Sequence, residues 1–71
     1  MITEKAATKA FKTYGRLHKK AMVNVRKKYP GVHAMDVLDS EIVKYGDLTT
    51  REKGLFKKSA KILDKYQNRS R

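Results

Sequence analysis

Two histidines, His18 and His33, are the side chains whose ordinary pKa suits proton transfer near neutral pH, and neither has a partner at catalytic or ligand spacing. A zinc site takes three or four convergent ligands. His33 has only Asp36 close by, and the chain contains no cysteine. Ser40, Ser59 and Ser70 fall in no serine, histidine and aspartate arrangement. Asp36, Asp39, Glu41 and Asp47 crowd the middle of the chain, where ordinary helix-surface charge explains them better than a catalytic carboxylate pair. The lone Gly15 does not make a phosphate-cradling loop, which needs a run of glycines before a helix. With no convergent set of reactive groups, the sequence predicts a protein that is not an enzyme, with no cofactor, no metal and no small-molecule substrate.

The chemistry this chain offers is electrostatic. Eighteen lysines and arginines stand against seven acids, a formal charge of +11 on 71 residues. The distribution is uneven. Residues 1–29 hold nine basic residues and one acid, residues 30–50 hold Lys44 against four acids, and residues 51–71 hold eight basic residues and two acids. Two basic arms therefore flank an acidic centre. Such a field attracts polyanions, and each neutralised phosphate releases counterions, so salt-sensitive nucleic-acid binding is the expected activity. Membrane binding would need exposed bulky apolar residues beside the charge, and a chain this short needs those residues for its core. The apolar runs are too short to span a bilayer, and Met1-Ile2-Thr3 leads into alternating charge that does not read as a secretory signal.

The elements that position these charges are helices. Phe11, Tyr14, Leu17 or His18, Ala21, Met22, Val25 and Tyr29 recur at spacings of three and four, one apolar stripe of a long first helix. Pro30-Gly31 breaks it, because proline disfavours helical geometry at the residue before it. Val37, Leu38, Ile42 and Tyr45 mark a shorter second helix, with Asp36 in its first turn and its end near Gly46. Thr49-Thr50-Arg51-Glu52 is a capping box that opens a third helix carrying Leu55, Phe56, Ser59, Ala60, Ile62, Leu63 and Tyr66. No strand pattern, repeat or linker is visible. Tyr14, Leu17, Val25, Tyr45, Phe56 and Leu63 are the expected core, since a small domain needs its large side chains inside. A chain of this length buries only about 60% of its unfolded surface, so its stability margin is thin.

From Tyr14 to about Leu63 the sequence resembles the HMG box, the L-shaped three-helix module of chromosomal high-mobility-group proteins. Tyr14 with Leu17 matches the pair that opens the family's first helix, Pro30-Gly31 its end, and Asp36-Val37 the start of the second. Tyr45 stands fifteen residues after Pro30, where the family has its core tryptophan. Leu48-Thr49, Glu52-Lys53, Phe56, Ala60 and Leu63 follow the downstream series in order. The resemblance implies an all-α, L-shaped domain over residues 1–71, best matched over 11–66, with a frayed basic tail at 67–71. It also implies binding in the minor groove of duplex DNA, with widening, bending and apolar wedges between base steps.

Carried over position by position, the resemblance places Lys9, Lys12, Arg16 and Lys19 on phosphates, with Lys5 helping from the amino-terminal segment. His33, Ala34 and Met35 approach the groove from the start of the second helix. The first wedge position falls on Gly15 and the second on Ala34, neither large enough to part bases; Met35 and Val32 stand close enough to replace the second. A shifted first helix would instead place Lys12 at the first wedge, with Phe11 and Tyr14 as the core pair. Lys12 occupies the position where sequence-specific boxes carry asparagine, which implies little sequence preference. The family's extended, proline-containing amino-terminal strand is replaced by Thr3 to Lys9, which are good helix formers, so the first helix should start early. Double-stranded DNA is thus the expected partner, together with other chromatin or transcription proteins. The expected location is the nucleus, or a virion or organelle nucleoid. The alternative is an interaction module of the same shape that has lost intercalation, its acidic centre facing a basic partner. Structured RNA, bound by shape and phosphate contact, is a third and weaker option.

Overall fold

The structure, a computed structural model, describes residues 2–69. Helix α1 spans Glu4–Lys28 and begins as early as its composition predicts. Thr3 sits extended at the N-cap, and its Oγ1 accepts the Ala6 N–H at 3.1 Å. Glu4 lies in the first turn, and Arg26, Lys27 and Lys28 lie in the last, so charge complements the helix dipole at both ends. Tyr29, just before Pro30, leaves helical geometry at φ −126° and ψ 78°. Gly31 follows at φ 80°, in the left-handed region that glycine enters without strain, and the Val32 N–H donates back to the Tyr29 carbonyl.

The second helix starts later than its sequence pattern predicts. Ala34–Asp36 close a short 3-10 turn, in which Asp36 N–H donates to His33 O at 2.9 Å and Val37 N–H to Ala34 O at 3.3 Å. Asp36 therefore belongs to this turn and not to the following helix. Helix α2 is Asp39–Tyr45, with Asp39 and Glu41 as its first-turn acids. Leu38 at its N-cap has no acceptor to offer, so only half a capping box forms, with Glu41 Oε1 accepting the Leu38 N–H at 3.2 Å. Gly46 ends α2 with ordinary αR angles. Its need for glycine is spatial: a Cβ there would land on Ala21 Cβ and on the Ile42 carbonyl. Asp47 takes the left-handed turn, at φ 54°.

Helix α3, Thr50–Arg69, opens with the complete capping box read from the sequence. Glu52 N–H donates to Thr49 Oγ1 and Thr49 N–H to Glu52 Oε1, each at 3.1 Å. The helix continues to Arg69, past Gln67 where the sequence anticipates fraying; Ser70 and Arg71 lie outside the described residues.

Helices α1 and α3 run antiparallel. Lys20 meets Glu52, and one turn and a half earlier in α1 the Tyr14 ring stacks on Phe56, 4.7 Å between centroids. Helix α2 packs across the carboxyl-terminal part of α1, where Asn24 Nδ2 donates to the Gly46 carbonyl. The core between them is Leu17, Ala21, Met22, Val25, Ile42, Leu48 and Phe56. Burial of each large side chain in that set contributes about 1.5–3 kcal/mol. The outline is 38 × 25 × 16 Å, and α1, at about 1.5 Å per residue, accounts for the long dimension. The all-α, three-helix class expected from the sequence is the one observed.

Of the predicted core, Leu17, Val25 and Phe56 are fully buried, while Tyr14, Tyr45 and Leu63 are half-buried at its edge. Phe11 and Tyr29, at the two ends of the apolar stripe, are instead exposed, Phe11 by 67%. Small residues do more of the packing than the stripe implied: Ala7, Ala10 and Ala21 are buried on α1. With Tyr14 and Leu17 turned inward and Phe11 outward, the shifted arrangement that would put Lys12 at a wedge position is not the one adopted.

Candidate nucleic-acid interface

Lys5, Lys9, Lys12, Arg16 and Lys19 follow one another at spacings of four, three, four and three, and all five are exposed. The inward residues Ala7, Ala10, Tyr14, Leu17 and Ala21 repeat with the same period. At about 100° per residue, the two stripes stand roughly 160° apart around α1, so the cations form a ridge on the side away from the core. Among the described residues the one ion pair is Lys20 Nζ to Glu52 Oε2 at 2.7 Å, which lies outside this ridge. Glu52 is drawn below its usual pKa, first by the Lys20 ammonium and then by the Thr49 N–H.

The other half of the predicted site lies on the turn before α2, beside a different face of α1. Ala34 is half-buried against the core, as is Val32, which removes Val32 as a wedge. Met35 is 97% exposed, and His33 is exposed beside it. Tyr14, His18, Ala34, Met35 and Val37 border a shallow hollow, so the turn sits on the His18 side of α1. Gly15 falls between the two sets. By helical geometry it lies roughly 60° from His18 and about 40–60° from Lys12 and Lys19. A Cβ at Gly15 would touch nothing within 4 Å. The structure thus unites Lys5, Lys9, Lys12, Arg16 and Lys19 in one stripe and His33, Ala34 and Met35 in one turn. The two meet across the bare backbone of Gly15 rather than forming a single patch.

The fixed residues behind these surfaces are held by specific contacts. Tyr14 Oη donates to Asp39 Oδ1 at 2.7 Å. Burial, then that carboxylate, push the Tyr14 phenol up to about 12. His18 lies against the Tyr14 ring at 5.7 Å and the Phe56 ring at 6.4 Å, an aromatic packing position. Met35 thus stands on a turn beside packed aromatic rings.

Two features escaped the sequence reading. Lys57, Lys61 and Lys65 recur every fourth residue on the exposed side of α3, a second basic face that the same helical spacing could have revealed. Tyr45 is the other: its ring meets Tyr29 edge-on at 5.8 Å and carries Lys28 Nζ at 4.3 Å and Lys44 Nζ at 5.3 Å. The Tyr29 hydroxyl, then the flanking lysines, lower the Tyr45 phenol. Tyr45 is thus a lysine-flanked edge of the core.

Among the described residues no group of three or more His, Asp or Glu converges, and no helix is long and apolar enough to cross a membrane. No known protein family, curated protein or solved structure matches this chain.

Proposed function

We propose that this protein binds duplex DNA without strong sequence preference, as a minor-groove architectural module of the HMG-box kind that bends or compacts DNA, rather than acting as an enzyme. The observation that carries the reading is the ridge of five exposed cations on α1. Phosphate contacts of this kind supply affinity and orientation without reading bases. Met35, 97% exposed on its turn, is the side chain able to press between base steps. Gly15 leaves no side chain between ridge and turn, so a groove wall can approach both. Chromatin, or the DNA of a virion or organelle nucleoid, is the setting this activity suits, with the nucleus as the corresponding location.

The test is a titration with two short duplexes of unrelated sequence at several salt concentrations, reading affinity and end-to-end distance together. Similar affinities, a steep salt dependence and a shortened duplex support the reading. Binding without shortening would retain the ridge and remove the wedge. The absence of binding at low salt would refute the nucleic-acid function. A second reading, an interaction module without intercalation, draws on one observation: both wedge positions of the resemblance, Gly15 and Ala34, are small.

A further inference from the structure

We propose that the apolar groove between the amino-terminal half of α1 and the carboxyl-terminal half of α3 docks a partner protein's amphipathic helix, one whose apolar stripe is flanked by lysine or arginine. Two hollows there, of about 310 and 400 Å³, share Phe11, Leu63 and Gln67, and a third of about 320 Å³ between α2 and α3 adjoins the first through Asp39 and Ala60. Phe11 is 67% exposed at the groove, an aromatic side chain that the fold itself does not use. Exposed aromatics beside a concave apolar surface are the anchors of helix-in-groove recognition. The groove follows α1 from Glu4 to Tyr14, about 15 Å, which matches three turns of a docked helix.

The charge around the groove selects the occupant. Its lining carries Glu4, Asp39 and Asp64 against one cation, Lys57, in a chain whose bases outnumber its acids by eighteen to seven. The acids line the groove itself, while the α1 ridge borders it, with Lys12 one helical turn from Thr8, so the flanks of a docked segment contact the acidic lining directly. Basic flanks are favoured against that lining. A second copy of this chain brings the same acids to the same groove, and its cationic ridge from Lys5 to Lys19 has no apolar residue within the stripe. The inference is independent of DNA binding.

The probe is a synthetic four-turn peptide with leucines at helical spacing and lysines on both flanks, compared with a copy in which glutamates replace the lysines. Binding is followed by fluorescence anisotropy at physiological salt. The lysine peptide should bind, and the glutamate peptide should bind about tenfold more weakly or worse. Phe11→Ser should weaken the lysine peptide by about tenfold or more, the scale of an aromatic anchor. Asp64→Lys should weaken it by about threefold, the scale of a single exposed charge. Phe11→Ser should leave duplex affinity unchanged, which separates the groove from the ridge. The proposal fails if the lysine peptide does not bind, if either variant binds it like the parent, or if the two peptides bind equally. Sedimentation showing a dimer that Phe11→Ser abolishes would also overturn it, by assigning the groove to a second copy.

Discussion

Neutralising the last three cations of the ridge gives a quantitative test of the DNA reading. From Lys5 to Lys19 the ridge is about 21 Å long at 1.5 Å per residue. One DNA strand presents a phosphate about every 3.4 Å of axis, so five contacts fit along that length. Each contact contributes about 0.9 to the slope of log affinity against log salt, so the full ridge gives roughly 4 to 5. The triple variant Lys12→Gln, Arg16→Gln, Lys19→Gln should reduce the slope by roughly 2.7. The control is Lys57→Gln, Lys61→Gln, Lys65→Gln, which removes the same charge from the opposite helix. The assay is anisotropy of a labelled duplex over a salt series, with circular dichroism confirming helix content in both variants. If the ridge contacts phosphates, the α1 variant loses most of the slope and the α3 variant little. Equal loss in both would refute the ridge and leave only undirected attraction to a protein of charge +11.

Five further outcomes follow from particular contacts. Met35→Ala should reduce duplex bending, read as end-to-end distance, while most of the affinity remains; unchanged bending would remove Met35 as the wedge. Gly46→Ala should destabilise by about 1–3 kcal/mol, because its Cβ meets Ala21 and the Ile42 carbonyl. Gly15→Ala, in open space within α1, should stabilise by about 0.5–1 kcal/mol, so urea midpoints on opposite sides of the parent check both substitutions. Tyr14 titrates higher in the fold than in the unfolded chain, from 10.0 to about 12, so its stabilising effect is complete below pH 10 and lost as pH rises towards 12; Tyr14→Phe should flatten that alkaline decline. Glu52 is shifted the other way, so its stabilisation is present above its ordinary 4.5 and lost as pH falls further; Glu52→Gln should reduce acid sensitivity in a pH-dependent melt.

Local chemistry was legible in the sequence wherever one or two residues decide an outcome. Thr49 and Glu52 announced the start of α3 because a reciprocal cap needs only those two side chains. Pro30 announced the end of α1 because its ring constrains Tyr29 whatever surrounds it. The start of α2 was not legible: Asp36 and Asp39 are equally good first-turn residues, and Ala34 packing on the core holds the intervening chain in a 3-10 turn. Phe11 continues the apolar period of α1, yet the position of α3 leaves it at a groove, and period alone cannot reveal where a neighbouring helix lies. For the candidate site, the five cations could be grouped from their spacing. That Met35, rather than Val32, stands clear of the core depended on the turn geometry, which no residue type dictates.

The cation ridge also acts on the free protein. Lys5 with Lys9 and Lys12 with Arg16 are four apart, and Lys9 with Lys12 and Arg16 with Lys19 three apart, so each neighbouring pair repels along the helix. At about 0.2–0.5 kcal/mol per pair this removes roughly 1–2 kcal/mol. A domain of this size has only about 4–10 kcal/mol of stability in all. Added salt therefore strengthens the unbound fold, and a polyanion laid along α1, as the proposed function has it, would relieve the same repulsion. If the ridge binds duplex, occupancy and foldedness are thermodynamically linked, and the melting temperature should rise as duplex is added. The charge that makes α1 a costly helix alone would make it a firmer one on the proposed duplex.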